Sequence, residues 1–335
     1  MNYTHYIGID VSKLWLDFAA MEQGQILFHL RVENSLKGIQ QFIKKLKSAN
    51  GFKFEATVFC MEHTGIYNNH LLAFFTKRKA NIFLESGMQI KQSSGLKRGK
   101  NDKVDAHRIA QYAYKSRDEI KLWQPKREVL HQLKQLSVLR SRLINVIKQL
   151  KTPLKETTGY ISKKIQKQTE VLCNQSLKSL ERDLAKINKS IESIIKADEV
   201  LNRLFQIITS VTGVGPVTAT QIIITTNEFK DITSAKKFAC YSGIAPFEHQ
   251  SGTSIRGKTR VSHLGNKTLK TLLHMAALVA ASYNQEIKAY YQRKVAEGKN
   301  KMSVLNAIRN KLVLRIFSCV NQNKMYEKNY QYSLV

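Results

Sequence analysis

Four acidic residues stand where short apolar runs end or where helical periodicity places them together. Asp10 closes the β-prone run 6–10, in Gly8-Ile9-Asp10-Val11-Ser12-Lys13, and Glu62 follows Phe59-Cys60-Met61 in the same way. A strand leaving a core holds a terminal carboxylate rigidly, and two neighbouring strands would aim both acids into one crevice. Asp102 and Asp105 are spaced i, i+3 on a helix-like stretch and so share one face. Four converging acids could hold two Mg²⁺ (or Mn²⁺) ions about 3.5–4 Å apart, the arrangement that activates an attacking oxygen and stabilises a leaving one in phosphoryl transfer. Without cations, clustered carboxylates repel one another, which makes a purely structural cluster unattractive. Taken singly, three of the acids have a plainer reading: Asp102 and Asp105 favour a helix dipole, and Glu62 is a surface or capping acid, while Asp10 at its strand end stands out by itself. The nearby Lys97, Arg98, Lys100, Lys103 and Arg108 make the combination more specific and add candidate phosphate contacts, Lys97, Arg98 and Lys100 foremost.

Two further segments could handle nucleic acid. The stretch 211–219, Val-Thr-Gly-Val-Gly-Pro-Val-Thr-Ala, reads as the turn of a helix–hairpin–helix. Gly213 and Gly215 allow tight turns, and Pro216 suits the first turn of the next helix, where its missing N–H costs nothing. N–H groups exposed at such a helix start hold a phosphate without reading sequence; the alternative is an ordinary packing corner. The loop that follows carries Ser251-Gly252-Thr253-Ser254 and then Arg256, Lys258 and Arg260 at alternate positions. Those cations could clamp a phosphate beside a forming alkoxide. Residue type alone does not separate Ser251 from Ser242, Ser254 or Ser262, and His249 and His263 read as ordinary loop histidines.

These sites need elements to position them. Residues 6–10, 14–21 and 25–32 predict an antiparallel meander, 36–46 a helix, 56–61 a strand, 71–79 a helix, 81–85 a strand and 102–115 a helix. The order βββαβαβα predicts α/β architecture, a mixed sheet with helices on its faces in the ribonuclease H-like manner. From 126 to 203 the pattern changes. Leu130, Leu133, Leu136, Leu139, Leu143, Ile147 and Leu150 form one helical stripe, interrupted at Pro153 and Gly159; Leu177, Leu180, Leu184, Ile187, Ile191 and Ile194 form another. This predicts an antiparallel helical hairpin, a coiled-coil arm. Residues 204–335 predict a mostly helical domain, with a Gly-, Ser- and Arg-rich loop at 242–266 and helices at 267–283 and 303–320. Three parts are thus expected: 1–125, 126–203 and 204–335.

The chain has 335 residues and a net charge of +29, far beyond what solubility requires, which points to a polyanionic partner. Residues 1–62 carry 7 basic and 6 acidic side chains, net +1; residues 206–335 carry 18 and 6, net +12. The nearly neutral segment holds Asp10 and Glu62, acids that a metal site could use; the rest could lie along phosphates. The apolar run 272–281 is interrupted by His274 and is too short to span a bilayer, so a membrane is not expected. No basic-then-apolar leader opens the sequence, and four scattered cysteines without a CxxC pair read as reduced thiols. A cytoplasmic nucleic-acid protein is expected.

Gly8-Ile-Asp10-Val-Ser-Lys13, Glu62-His-Thr-Gly-Ile-Tyr67 and Lys100-Asn-Asp102-Lys-Val-Asp105-Ala106 resemble the motifs of the DEDD-type insertion-sequence transposases, a family that includes bridge-RNA-guided recombinases and Piv-type pilin-gene invertases. The resemblance implies that Asp10, Glu62, Asp102 and Asp105 are metal-binding acids on a RuvC-like domain. The segment from 204 to about 283 is similar to the family's C-terminal transposase domain, including its Ser-Gly motif. On that motif Ser251 would be the nucleophile that becomes transiently linked to DNA. The resemblance further implies donor and target DNA, a noncoding guide RNA and a homo-oligomer (dimer or tetramer), with the helical arm as a dimerisation element. Acids and serine lie in different parts, so a composite site is expected. Because re-ligation conserves bond energy, no ATP is needed, and no Walker loop is visible. The rivals are a resolvase-like nuclease that uses water, and a basic nucleic-acid-binding scaffold with structural acids. A sugar-kinase or actin-like ATPase would share the Gly-Ile-Asp strand but lacks its second Gly-rich phosphate loop here.

Overall fold

The structure is a computed structural model that describes residues 3–48, 52–93, 95, 101–251 and 255–327; for 249–251, 255, 256 and 258 it describes the backbone alone. The chain divides into two compact units, Met1–Pro125 and Lys126–Val335.

In the first unit, strands β1 (His5–Val11), β2 (Trp15–Glu22) and β3 (Gln25–Glu33) form the antiparallel meander. Helix α1 (Leu36–Lys47), β4 (Thr57–Glu62), α2 (Asn69–Lys77), β5 (Asn81–Glu85), the short α3 (Gly87–Ser93) and α4 (Asp102–Lys115) follow. The strand order is β3-β2-β1-β4-β5, with β4 parallel to both β1 and β5. The sheet is therefore mixed and the unit α/β.

Period-two alternation sorts the side chains onto two faces. Ile7 and Ile9 of β1, Leu16 and Phe18 of β2, and Phe59 and Met61 of β4 pack with Ile39, Phe42, Leu71 and Phe75 of α1 and α2. Phe18 and Phe42 stack at 3.8 Å, and each fully buried ring contributes roughly 1.5–3 kcal/mol. The opposite face carries Tyr6, Ala19, Val58 and Cys60 against Ala106, Ile109, Ala110 and Ala113 of α4. By the same alternation Asp10, Asp17 and Glu62 belong to this second face. Gly8 lets α4 lie directly on β1: a Cβ there would meet Ala106 O at 2.2 Å and Ala110 N at 2.3 Å.

In the second unit, α5 (Glu128–Glu156) and α6 (Lys163–Ala197) run antiparallel, as cross-pairs show: Arg140 Nε donates to Asn188 Oδ1 at 2.8 Å, and Lys151 pairs with Glu181 further along. Pro153 does not interrupt α5, contrary to expectation. It stands in the last turn, and the helix continues to Glu156 before Gly159, at φ +86°, turns the chain. Then come α7 (Glu199–Ser210), α8 (Pro216–Thr226), α9 (Ala235–Tyr241), β6 (Pro246–Ser251), β7 (Ile255–Val261), α10 (Lys267–Tyr283), α11 (Gln285–Ala296) and α12 (Lys301–Asn321). The loop expected at 242–266 is instead organised around an antiparallel hairpin, β6 against β7. Its Gly, Ser and Arg content masked strand character that comes from cross-strand pairing. The core joins Ile208, Ile222, Ile223, Phe238, Leu273, Leu312 and Phe317, and Leu130, Leu133 and Ile195 root the base of the helical arm in it.

Arg127, just before α5, clasps that root. Its Nη1 and Nη2 donate to Asp198 Oδ2 and Oδ1 at 2.7 and 3.0 Å, and its guanidinium also bonds Glu228. Asp198 caps α7 by accepting from Leu201 N at 2.9 Å. The Glu228 side chain is 1% exposed and also accepts from Lys230 Nζ at 2.8 Å. Burial pushes the Glu228 carboxyl up, but the bonds from Arg127 and Lys230 more than reverse it, so it lies below its ordinary value.

Candidate active site

The register brings the acids of the first unit to one level of the sheet. Asp10 of β1 lies opposite Asp17 of β2, and Asp17 lies opposite Arg31 of β3. Glu62 ends β4, the parallel neighbour of β1. Helix α4 lays its first turn, with Asp102 and Asp105, over the same face. Asn101 starts that helix by accepting from Val104 N at 2.8 Å, which fixes where the two aspartates begin.

The Asp10 carboxyl is pushed up to about 6 by burial, then by the negative charges of Asp105, Asp102, Asp17 and Glu62. Five acids thus share one electrostatic neighbourhood. Cations compensate part of the charge: Arg31 Nη1 lies 3.3 Å from Asp102 Oδ2, and Arg108 Nη1 donates to Asp105 Oδ1 at 2.9 Å. Asp17 is 3% exposed, meets His29 Nε2 at 2.8 Å and has Arg31 Nε 3.7 Å away. Among the described residues, no three His, Cys, Asp or Glu side chains are close enough to ligate one ion as they stand. The donors present are carboxylate oxygens, the chemistry a hard divalent cation prefers, and their mutual repulsion favours one.

Glu62 has its own cradle. A Cβ at Gly87 would lie 1.9 Å from Glu62 Oε1 and 2.2 Å from its Cδ, so the missing side chain makes room for the carboxylate. Asn68 Nδ2 donates to the Glu62 carbonyl at 2.9 Å and holds the strand end. Beside the cluster, burial lowers the His107 imidazole pKa, helped by His29 and Lys103, and its Nε2 is buried without a hydrogen-bond partner among the described residues.

Sequence reasoning identified the four acids of the motifs and missed Asp17, Arg31, His29 and Gly87. Asp17 sits inside a run that reads as core strand, and only its register opposite Asp10 reveals it. Gly87 could have drawn notice as the residue two beyond the β5 acid Glu85, but nothing local says what it makes room for. Lys97, Arg98 and Lys100 lie outside the described residues.

In the second unit, Ser251 is the last residue of β6, paired with Ile255 across the hairpin. Arg256, Lys258 and Arg260 occupy alternate positions of β7, and Arg260 is exposed. The two glycines of the interhelical turn differ. Gly213, at φ +94°, packs on α10, where a Cβ would meet Ala276 O at 2.4 Å. Gly215 is exposed with open space around it, and it starts α8 without a side-chain cap; Pro216 is the first helical residue. Of this pair, Gly215 leaves backbone N–H groups open to a ligand, while Gly213 serves packing. Among the described residues, no helix is long and apolar enough to cross a membrane.

Two family models match the chain. One, described as Transposase and representing the DEDD transposases of the IS110 type, covers residues 7–158. The other, described as Transposase IS116/IS110/IS902 family, covers residues 205–292. The chain is 25% identical over 329 residues to the pilin gene-inverting protein of Moraxella bovis, covering 96% of this chain and 98% of that protein. The counterpart in Moraxella lacunata is 25% identical over 327 residues, with the same coverage. An uncharacterised 43.6 kDa protein of insertion element IS110 from Streptomyces coelicolor is 28% identical over 139 residues, covering 42% of this chain and 34% of that protein.

Proposed function

The chain belongs to the DEDD-type IS110 transposase family, and from that premise we propose that it cuts and rejoins DNA strands as a transposase or site-specific recombinase, with an RNase H-like (RuvC-type) acid domain and a serine nucleophile. The observation that carries the reading is the gathering of Glu62, Asp102 and Asp105 around the Asp10 carboxyl, which burial and then these acidic neighbours push up to about 6. Asp10, Glu62, Asp102 and Asp105 would hold the divalent metal, Mg²⁺ or Mn²⁺. Bound there, it supplies charge neutralisation for phosphoryl transfer.

Ser251 Oγ gives up its proton and attacks the phosphorus of a DNA phosphodiester. The bond to the 3′ oxygen breaks, that oxygen takes up a proton, and the 5′ end stays on the serine as a phosphodiester. A 3′-hydroxyl from another strand then attacks, restoring the DNA backbone and freeing the serine. One phosphodiester replaces another at each step, so no nucleotide hydrolysis is required. Arg256, Lys258 and Arg260 follow Ser251 on β7 and offer countercharge to the phosphate; Gly215 and the start of α8 offer a sequence-independent phosphate contact, and Lys97, Arg98 and Lys100 further countercharge.

DNA is the substrate. A noncoding guide RNA is the second polynucleotide of the proposal, and the net charge of +29 suits both. The working unit is a homo-oligomer (dimer or tetramer) in the cytoplasm. The test is strand exchange on supercoiled DNA with sequencing of copurifying nucleic acid. Wild type should give joined products and a protease-sensitive protein–DNA adduct. Asp10→Ala and Ser251→Ala should bind DNA and give neither. Full recombination by Ser251→Ala would overturn the covalent-serine step; free ends without joined strands would turn the reading toward a water-using nuclease.

A further inference from the structure

Within the second unit, a cavity of about 740 Å³ lies where α5 and α6 meet α7, α8 and α10. That volume falls in the range of small-molecule sites, roughly 300–1,000 Å³, and admits a nucleotide but not a stacked duplex. Its lining has a definite chemical character. Ile191, Ile195 and Leu272 supply apolar wall, and Phe205 is the aromatic among the lining residues. Four primary amides, Asn188, Asn202, Gln206 and Gln221, come from three different helices, α6, α7 and α8.

An amide side chain presents a donor and an acceptor side by side, the pattern that matches the edge of a nucleobase. The lining acid Glu192 is already engaged by Lys196 Nζ at 2.6 Å. Arg140 also lines the cavity and uses Nε on Asn188, so its terminal nitrogens have no protein partner among the described residues. The cavity therefore combines apolar faces, amide edges and spare positive charge. Pro216 and Val217, the first turn of α8, border it too. That turn begins at the uncapped, exposed Gly215. A phosphate held at the start of α8 would have its own nucleoside beside the opening.

We infer that this cavity receives one unpaired nucleobase of a bound polynucleotide, stacked near Phe205 and read at its edge by the amides of Asn202, Gln206 and Gln221. The inference rests on the nucleic-acid reading above and adds to it a base-reading pocket separate from the acids and from Ser251. A paired base cannot present its face and its Watson–Crick edge while it remains in the helix, so the occupant is a bulged, looped or extruded nucleotide. DNA and RNA share the base chemistry, and the experiment distinguishes them.

The test uses the full-length protein and duplexes with or without one bulged 2-aminopurine, made as DNA and as RNA. Stacking a base on an aromatic side chain is worth about 1–3 kcal/mol, so the bulged probe should bind about tenfold tighter than the matched duplex and its fluorescence should change on binding. Gln206→Trp fills the cavity from an exposed position, and Asn202→Leu removes an edge contact at similar volume. Both variants should lose the bulge preference and the fluorescence change while matched-duplex affinity stays within twofold. A response in the DNA series assigns the base to substrate; a response in the RNA series assigns it to a guide. Equal affinity for bulged and matched probes, or a fluorescence change unaltered in both variants, overturns the pocket and leaves the recombinase reading standing. No binding of any probe by wild type overturns both.

Discussion

Each unit contains a cluster of charges, and the two are built on opposite principles. In the second unit, Arg127 and Lys230 meet Asp198 and Glu228 at close range, and both carboxyls end below their ordinary values. In the first, five acids crowd one face, and Arg31, Arg108 and His29 engage three of them while Asp10 is pushed upward. A buried charge that is paired contributes to structure, because removing its partner leaves desolvation uncompensated. Like charges held together without sufficient partners cost stability, and such an arrangement is retained where a ligand completes it. The contrast fits the Arg127 cluster to a structural joint and accords with the proposal that the Asp10 cluster is a working site.

The largest effect should come from neutralising Asp10. Asp10→Asn should reduce strand exchange by about 10³-fold or more, the scale seen when a group that stabilises transition-state charge is lost. The same substitution should raise the melting temperature of the metal-free protein, since it removes one member of a repelling set. The two outcomes together set Asp10 apart from an acid that merely supports the fold. Lower metal-free stability in Asp10→Asn would place Asp10 in the same class as Glu228 and collapse the contrast.

Arg127→Met should do the reverse. It leaves the Glu228 carboxylate buried with Lys230 as its remaining partner among the described residues; because Lys230 stays and Arg127 is partly exposed, the loss should fall below the roughly 3–5 kcal/mol of a fully buried pair. The pH dependence follows from the directions of the shifts. Asp198 and Glu228 have depressed values in the folded state, Asp198 chiefly through its bonds from Arg127. Their contribution is complete above the unfolded-state carboxylate range, about pH 4–5, and is lost as pH falls through the folded values. Thermal melts from pH 7 down to pH 3 should therefore show a steep acid limb in wild type and a shallower one in Arg127→Met. Parallel curves would separate the network from acid stability.

The sequence exposed most of the first cluster because each motif acid stands at or near the end of an element whose period is readable: alternation in β1 and β4, helical spacing in the first turn of α4. The mixed sheet and the two long arm helices were legible for the same reason. Asp17 was not, because its importance lies in cross-strand register, which no local window encodes. The β6–β7 hairpin escaped because its composition favours turns, and α9, at seven residues, is too short to show a period. Gly87 and Gly8 carry information only once the partner atoms are known.

Those glycines sharpen the comparison at smaller amplitude. Gly8→Ala drives a Cβ into the α4 backbone, which cannot yield easily. It should cost about 1–3 kcal/mol and reduce exchange by displacing Asp102 and Asp105. Gly87→Ala meets the movable end of Glu62 instead. It should cost little in a melt yet lower exchange strongly, because the carboxylate must leave its cradle. Equal stability losses in the two variants would show that the Glu62 cradle is packing and not a site.

The smallest effect should separate the two turn glycines of the second unit. Gly213 combines φ +94° with a backbone contact, so Gly213→Ala should destabilise by at least about 1 kcal/mol. Gly215 adopts φ −87° in open space, so Gly215→Ala meets neither penalty and should cost less than about 1 kcal/mol, the margin by which Ala is a poorer N-cap than Gly. Its added methyl group nevertheless stands at the start of α8, where a phosphate would approach the backbone. Matched-duplex affinity should then fall a few-fold in Gly215→Ala, with the loss shrinking as salt rises because the lost contact is electrostatic. Unchanged affinity at low salt would reduce the whole turn to the role Gly213 already plays, a close-packed corner between two helices.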